Sequence, residues 1–399
     1  MTPTLYLTRN GLLEPLGQSQ VFSYLKGLST DFSITLITYE KDADWADSDA
    51  VDRARSECEA HGITWLPQRF RPKPKIIAPA FSMIRMAWLV WREVRRGQVK
   101  LIHARSYIPA AVAKVVSRVT GVPFIFDMRA LWPEELITAG RLKRDSLMHR
   151  AIAGAERVCL RDAAGVVSLT HAAVAYLERL YPDALSTQRI AVIPTCADLS
   201  RFTMSQSQPT PPVHGCIGTL LSGWFRIEWL QGWIAMVAER DPTARFEILT
   251  RDDPHLVRRG IDPQGIIAER LTITSRQPHQ MPEALKGQSL SVMFYTEGKS
   301  KIGSSPTRMA EVLGTGLPVV ANDGVGDVAR IITDNRVGVL VAENTKAALN
   351  TAYDALQELM QDPDLPDRCR AVAQDVFSLD AGTERYRALY LAITQPASP

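Results

Sequence analysis

The 399-residue chain has no two cysteines close enough to form a motif. Its five, Cys58, Cys159, Cys196, Cys216 and Cys369, are odd in number and scattered, which excludes a disulfide framework and a C-x-x-C site. No apolar run approaches the roughly 18 residues of a membrane-spanning helix. The opening MTPTLYLTRNGLL lacks a basic stretch followed by an apolar core, so no secretory leader is expected. Reduced thiols without a leader predict a cytoplasmic protein. Net charge is only +3, which excludes general polyanion binding, and no nucleic-acid partner is expected. No histidine–carboxylate cluster predicts a metal site. DADWADSD, residues 42–49, holds two Asp-x-Asp triplets, but it leads into a helical pattern, and acid at a helix start is favourable without a metal.

What the chain does have is alternation. TLYLTR, FSITLITY, VKLIHARS, VPFIFDMR, AGVVSLT and IAVIPT read as strands, with helical patterns such as AAVAKVVSRV between them. The pattern stops at the polar, proline-rich stretch 203–213 and restarts with GCIGTLL, RFEILTR, LSVMFYT, LPVVAND and VGVLVAE. This predicts two doubly wound parallel α/β domains, 1–202 and 214–376, joined by a linker at 203–213. Residues 377–399 read as a final amphipathic helix that could return to the first domain. In such sheets ligands sit at the carboxyl ends of strands, which points to strand-to-helix loops and a site in the cleft between the domains.

One such loop is rich in polar groups. After LSVMFYT come EGKSKIGSS and then PTRMAEVLGTGLPVV. Ser305 is expected as an N-cap, with Pro306 at the first helical position. The free N–H groups there, with Ser304, Ser305 and Thr307, suit an anion, and Lys299, Lys301 and Arg308 add positive charge. Glu311, one turn inside the helix, can accept hydrogen bonds from a ribose diol. Together they suit a nucleotide diphosphate; a capped, solvated helix is the plainer alternative.

This segment resembles the donor-binding element of the retaining glycosyltransferases of family 4. IAVIPTCADLSRF, residues 190–202, resembles that family's exit signature from the first domain. GLLEPLGQSQVFSYLKGL resembles its glycine loop, and GTGLPVVAN and the tail also fit. The resemblance implies a GT-B fold, with two Rossmann-like domains facing across a cleft. It implies transfer of a sugar from a nucleotide diphosphate sugar without a metal or other cofactor, to a lipid-linked or polysaccharide acceptor. Glu311 matches the glutamate that holds the donor ribose, and Gly17 lies in the loop that faces the donor. The family's first glutamate falls at Gly303. Its phosphate-binding arginine falls at Thr219 and its lysine at Trp224, with Arg226 two residues on. Arg251, at the end of RFEILTR, joins the expected donor-binding group. Arg308, Lys299 or Lys301 could replace the missing charge. A catalytically degenerate binding or scaffold protein, and a nucleotide-sugar epimerase, are the other readings.

In the first domain, Asp127 and Arg129 follow one strand and His103 and Arg105 end another. Many members of the family have a histidine near the Arg129 position, and arginine replaces it here; Asp127, Arg129, His103 and Arg105 are expected to line the sugar and acceptor side, with a structural ion pair and a hydrogen-bonded histidine as the alternatives. Residues 69–100 carry nine Lys/Arg and one Glu, a local charge of +8, against −5 for the remainder. With Trp88 and Trp91 in an apolar helix, this segment suits either packing on the sheet or an anionic membrane surface at the inner face of the plasma membrane.

Overall fold

The structure, a computed structural model, describes residues 1–70, 77–205 and 209–395. The chain forms two compact units: Met1–Pro194 with the tail from Gly382, and Thr195–Ala381.

The first unit is built on seven strands: β1 (Thr2–Leu7), β2 (Phe32–Glu40), β3 (Thr64–Arg69), β4 (Leu101–Arg105), β5 (Phe124–Asp127), β6 (Gly165–Ser168) and β7 (Ile190–Val192). They lie in the order β3-β2-β1-β4-β5-β6-β7, all parallel. β4, β5 and β6 are buried at every residue, as helices on both faces require. The second unit has β8 (Val213–Ile217), β9 (Arg245–Leu249), β10 (Leu271–Thr274), β11 (Leu290–Met293), β12 (Val319–Ala321) and β13 (Gly338–Leu340), in the order β10-β9-β8-β11-β12-β13. These are the two predicted doubly wound sheets. In each, strand order reverses beside the first strand, at β1/β4 and at β8/β11, and loops leaving such a point part to open a crevice.

β3 and β10 have no counterpart among the expected strands. Each is an edge strand with one neighbour. β3, TWLPQR, contains Pro67, and β10, LTIT, alternates with threonine, so neither shows the apolar run of a central strand.

Both unit boundaries differ from the expected ones. Thr195–Phe202, read as the end of the first domain, packs in the second unit. Arg370 donates to the carbonyls of Leu199, Phe202 and Gly314, and Ala197 exchanges backbone bonds with Phe377 and Leu379. Of the expected linker, 206–208 lie outside the described residues. The tail helix, Leu379–Thr394, enters the first unit and buries Tyr386, Leu389 and Tyr390 there.

The basic lead of residues 71–76 also lies outside the described residues. The helix that follows, Ile77–Arg96, has two apolar stripes. Met86, Leu89, Val90 and Val94 are buried, while Ile84, Trp88 and Trp91 are exposed. All five cysteines are buried.

Candidate functional site

In the second unit, the loops after β8 and β11 are sewn together at the reversal point. Arg226 N–H donates to the Phe294 carbonyl, Thr296 N–H donates to the Trp224 carbonyl, and Phe225 and Tyr295 form an antiparallel bridge. This brings together residues far apart in sequence. Arg226 pairs with Glu297 at 2.7 Å and lies over the Trp229 ring. The buried Lys301 places its ammonium over the ring of Trp224, itself 41% exposed. An ammonium group thus stands beside the position where the family has its lysine, delivered from a different loop.

The helix Thr307–Gly314 follows. Its start departs from the expected cap: Pro306, with extended backbone, is the N-cap residue, and no side chain caps the helix. The Ser305 hydroxyl instead accepts the N–H of Thr195. It therefore fixes the exit segment beside this loop, and the helix start keeps unoccupied backbone donors. Glu311, one turn in, is half-buried and bound to Arg308 at 2.5 Å. Gly303, where the family's first glutamate would stand, ends the short helix Lys299–Ile302, so that carboxylate is absent from the register. Ser304 and Thr307 are half-buried beside the helix start, and Thr219 opens a short turn after β8. Arg251 is exposed beyond β9.

In the first unit, the structure gathers His103, Arg105, Asp127 and Arg129 at the carboxyl ends of β4 and β5, but not as a solvent-facing set. His103, Arg105 and Asp127 are 1%, 3% and 0% exposed. His103 donates from Nε2 to Asp127 at 3.2 Å and accepts at Nδ1 from the Tyr390 hydroxyl at 2.6 Å. Tyr386 donates to Asp127 at 3.1 Å, and Arg105 lies 3.4 Å from the same oxygen. Arg129, half-buried, lies 3.6 Å from the other oxygen. Burial pulls the His103 imidazole below its ordinary value despite the Asp127 hydrogen bond. Burial alone would raise the Asp127 carboxyl, but Arg129, His103 and Arg105 outweigh it and hold it below the usual carboxylate range. His103, Arg105 and Asp127 are thus buried rather than solvent-facing. They form a buried polar network capped by the tail helix, because Tyr386 and Tyr390 occupy the space above the strand ends. No sequence pattern tied those tyrosines to this site.

Gly17 is buried at the end of the short helix Pro15–Gly17 that follows β1, against the Gly11 carbonyl. Sequence reading missed the residue that holds the loop after β1, Glu40 at the end of β2. The aspartates of 42–49 sit at helix starts, where Asp47 caps Ala50 N–H. Among the described residues no three His, Cys, Asp or Glu side chains converge as a metal site, and no helix is long and apolar enough to cross a membrane.

A family model described as a glycosyl transferase 4-like domain matches residues 24–196, and one described as glycosyl transferases group 1 matches 211–362. The 2-deoxystreptamine N-acetyl-D-glucosaminyltransferase of Streptomyces fradiae is 27% identical over 277 residues, 65% of this chain and 63% of that protein. The chain thus spans less than two thirds of that relative's length. Among solved structures, sucrose-phosphate synthase from Thermosynechococcus elongatus has a TM-score of 0.65 at 16% identity, covering 98% of this chain and 99% of its own. Anabaena HepE in complex with UDP-glucose has a TM-score of 0.65 at 15% identity, covering 98% and 100%. The lipopolysaccharide outer core galactosyltransferase WaaB has 0.66 at 12%, covering 98% and 99%. At these identities the structural likenesses establish the fold.

Proposed function

Since this chain belongs to the family-4-like glycosyltransferases of GT-B fold, we propose that it is an active retaining transferase, moving a sugar from a nucleotide diphosphate sugar to a lipid-linked or cell-surface glycan. The observation that carries this reading is the cationic and dipolar set at the β8/β11 reversal. Lys301 over Trp224 and Arg226 on Glu297 belong to the loops joined there, and the uncapped helix start follows in the chain, with Glu311 one turn further on. HepE is described in complex with UDP and with UDP-glucose, which suits a nucleotide sugar as donor here.

In this mechanism the second unit binds the donor. Glu311 leaves Arg308 to accept the ribose hydroxyls, and Arg308 turns to the phosphates. Ser304, Thr307 and the helix N–H groups hold the diphosphate, with Thr219 and Arg251 flanking the nucleotide. The bond from the anomeric carbon to the leaving phosphate oxygen breaks, and the acceptor oxygen bonds to that carbon on the same face. The acceptor proton passes to the leaving phosphate. Lys301 and Arg226 stabilise the departing charge, so no metal is required. Arg129 meets the sugar or acceptor, positioned by Asp127, His103 and Arg105. The exposed Trp88 and Trp91 favour an acceptor held at a membrane surface, where the protein acts from the cytoplasmic side.

The test is a calorimetric screen of UDP, GDP and ADP and their sugars, with EDTA present, on wild type and Glu311→Ala. Selective binding of one donor, weakened at least tenfold by the substitution, is expected. A wild type that binds none of them leaves the degenerate binding or scaffold reading in its place.

A further inference from the structure

β2 ends in a carboxylate that the reaction does not explain. Glu40 is 0% exposed, and among the described residues no cation pairs with it. Desolvating a lone carboxylate costs several kcal/mol, so a fold keeps one only where dipoles replace the water. Here the dipoles come from the loop after β1 and from a neighbouring hydroxyl of β2. Leu12 N–H donates to Oε1 at 2.8 Å and Leu13 N–H to Oε2 at 3.2 Å. The third donor is the Thr38 hydroxyl, at 2.5 Å, itself fixed by the indole N–H of Trp65 at 2.8 Å. Both carboxylate oxygens therefore grip consecutive amides of the irregular loop between β1 and its first helix.

The loop is shaped around this grip. A Cβ on Gly11 would lie 2.5 Å from Glu40 Oε2, so only glycine lets the backbone approach so closely. A Cβ on Gly17 would lie 1.9 Å from the Gly11 carbonyl, so the loop also folds tightly on itself. Gln18 closes it by donating from Nε2 to the Leu12 carbonyl at 2.9 Å. The chain then enters a π-helical turn, Gln18–Phe22, a form frequent near functional sites. The sheet places this loop at the β1/β4 reversal of the first unit.

We propose that Glu40 is a positioning residue for the transfer reaction: its carboxylate holds the Gly11–Gly17 segment, at the β1/β4 reversal of the first unit, in the one shape that turnover requires. The proposal rests on the transferase reading for its second half, the effect on turnover. Its first half, the anchoring, stands on the geometry alone. Glutamine keeps the volume of Glu40 but presents an NH2 group to one of the two amide donors, so one grip is lost while the core stays filled.

The experiment compares wild type, Glu40→Gln and Gly11→Ala, the second disturbing the same contact from the loop side. Amide hydrogen exchange is read at residues 9–18, alongside UDP affinity by calorimetry and turnover of UDP-glucose and UDP-N-acetylglucosamine by release of UDP. Exchange is expected to rise at least tenfold at the one of Leu12 and Leu13 that faces the new NH2 group in Glu40→Gln, and at both in Gly11→Ala, with β1 and β2 still protected. UDP affinity is expected to stay within twofold, because the nucleotide belongs to the second unit, while kcat falls at least tenfold. Unchanged exchange in both variants overturns the anchoring. Faster loop exchange with unchanged kcat overturns the positioning role while leaving the transferase reading intact. A parallel fall in protection, UDP affinity and kcat marks Glu40 as a core residue only, and also overturns it. A wild type that neither binds UDP nor releases it from either sugar fails the donor reading on these probes and takes the turnover claim with it, while exchange still decides the anchoring.

Discussion

Position 224 shows how a binding group can leave the sequence and persist in space. Tryptophan stands where the family has lysine, yet the Lys301 ammonium sits over its ring. A leaving diphosphate needs charge at a place, not at a sequence position, and a preorganised cation there is worth about 100-fold in rate. Lys301→Met is therefore expected to lower kcat by about that factor with a much smaller change in nucleotide affinity. Adding Trp224→Lys in the same chain should restore at least tenfold; steady-state kinetics of the three proteins decide it, and no recovery means that the lost charge acts elsewhere. A second residue tests pH. His214 is buried against Trp233, whose indole N–H donates to Nδ1, and burial pulls its imidazole down to about 4 from 6.5. The unfolded chain thus binds a proton that the folded chain refuses. The stabilisation is complete above pH 6.5 and declines as pH falls from about 6.5 towards 4. Between pH 7 and 5 the decline amounts to about 2 kcal/mol. Urea midpoints of the second unit should show it, and His214→Gln, which keeps an acceptor for Trp233, should flatten that part of the profile.

At the scale of elements, the tail helix Leu379–Thr394 does more than cover a sheet. Tyr386 and Tyr390 hydrogen-bond the Asp127–His103 pair, and Arg387 binds Asp31 and the Gly27 carbonyl. Removing the chain after Ala381 strips the Tyr386 donor from the buried Asp127 carboxylate and the Tyr390 hydroxyl from His103, and opens the strand ends to water. The expected result is lost exchange protection in β4 and β5, with nucleotide affinity of the second unit kept within threefold. Protection that survives the truncation means the helix merely rests there. Tyr386→Phe alone should cost about 2 kcal/mol, the usual net worth of a hydrogen bond to a charged group. The same helix shows what was legible in the sequence. Its amphipathic pattern was plain, but its partners lie more than 250 residues away, and periodicity carries no address. Central strands were readable because burial on both faces demands continuous apolar runs, as in FIFD of β5. β3 and β10 were not, since an edge strand tolerates Pro67 and exposed threonine. Glu311 and the loop before it were found because their residues are contiguous. The Glu40 anchor was not, because its partners, Leu12 and Leu13, contribute backbone N–H groups that any residue but proline would offer.

Over the whole molecule, the charge is divided rather than absent. The net +3 conceals +8 over residues 69–100 and −5 over everything else. The helix Ile77–Arg96 that carries part of this charge packs one stripe on the first unit and turns the other outward. On the outward side Ile84 is 68% exposed, Trp88 54% and Trp91 40%. Arg92 lies over the Trp88 ring and Arg95 over Trp91, so each indole is paired with a guanidinium. Indoles beside arginines match the interface of an anionic bilayer, where the ring enters the headgroup layer and the cation stays with the phosphates. For the lipid-linked acceptor proposed above, surface residence raises the local acceptor concentration. With vesicles containing phosphatidylglycerol, wild type should co-sediment, and binding should weaken steeply as salt shortens the reach of the charges. Vesicles of phosphatidylcholine alone should retain little. Trp88→Ser with Trp91→Ser should cut binding at least tenfold at low salt while leaving calorimetric donor binding unchanged, since both residues lie on the first unit. If the double variant co-sediments like wild type, the exposed indoles serve another contact, and membrane binding is carried by other residues of the chain.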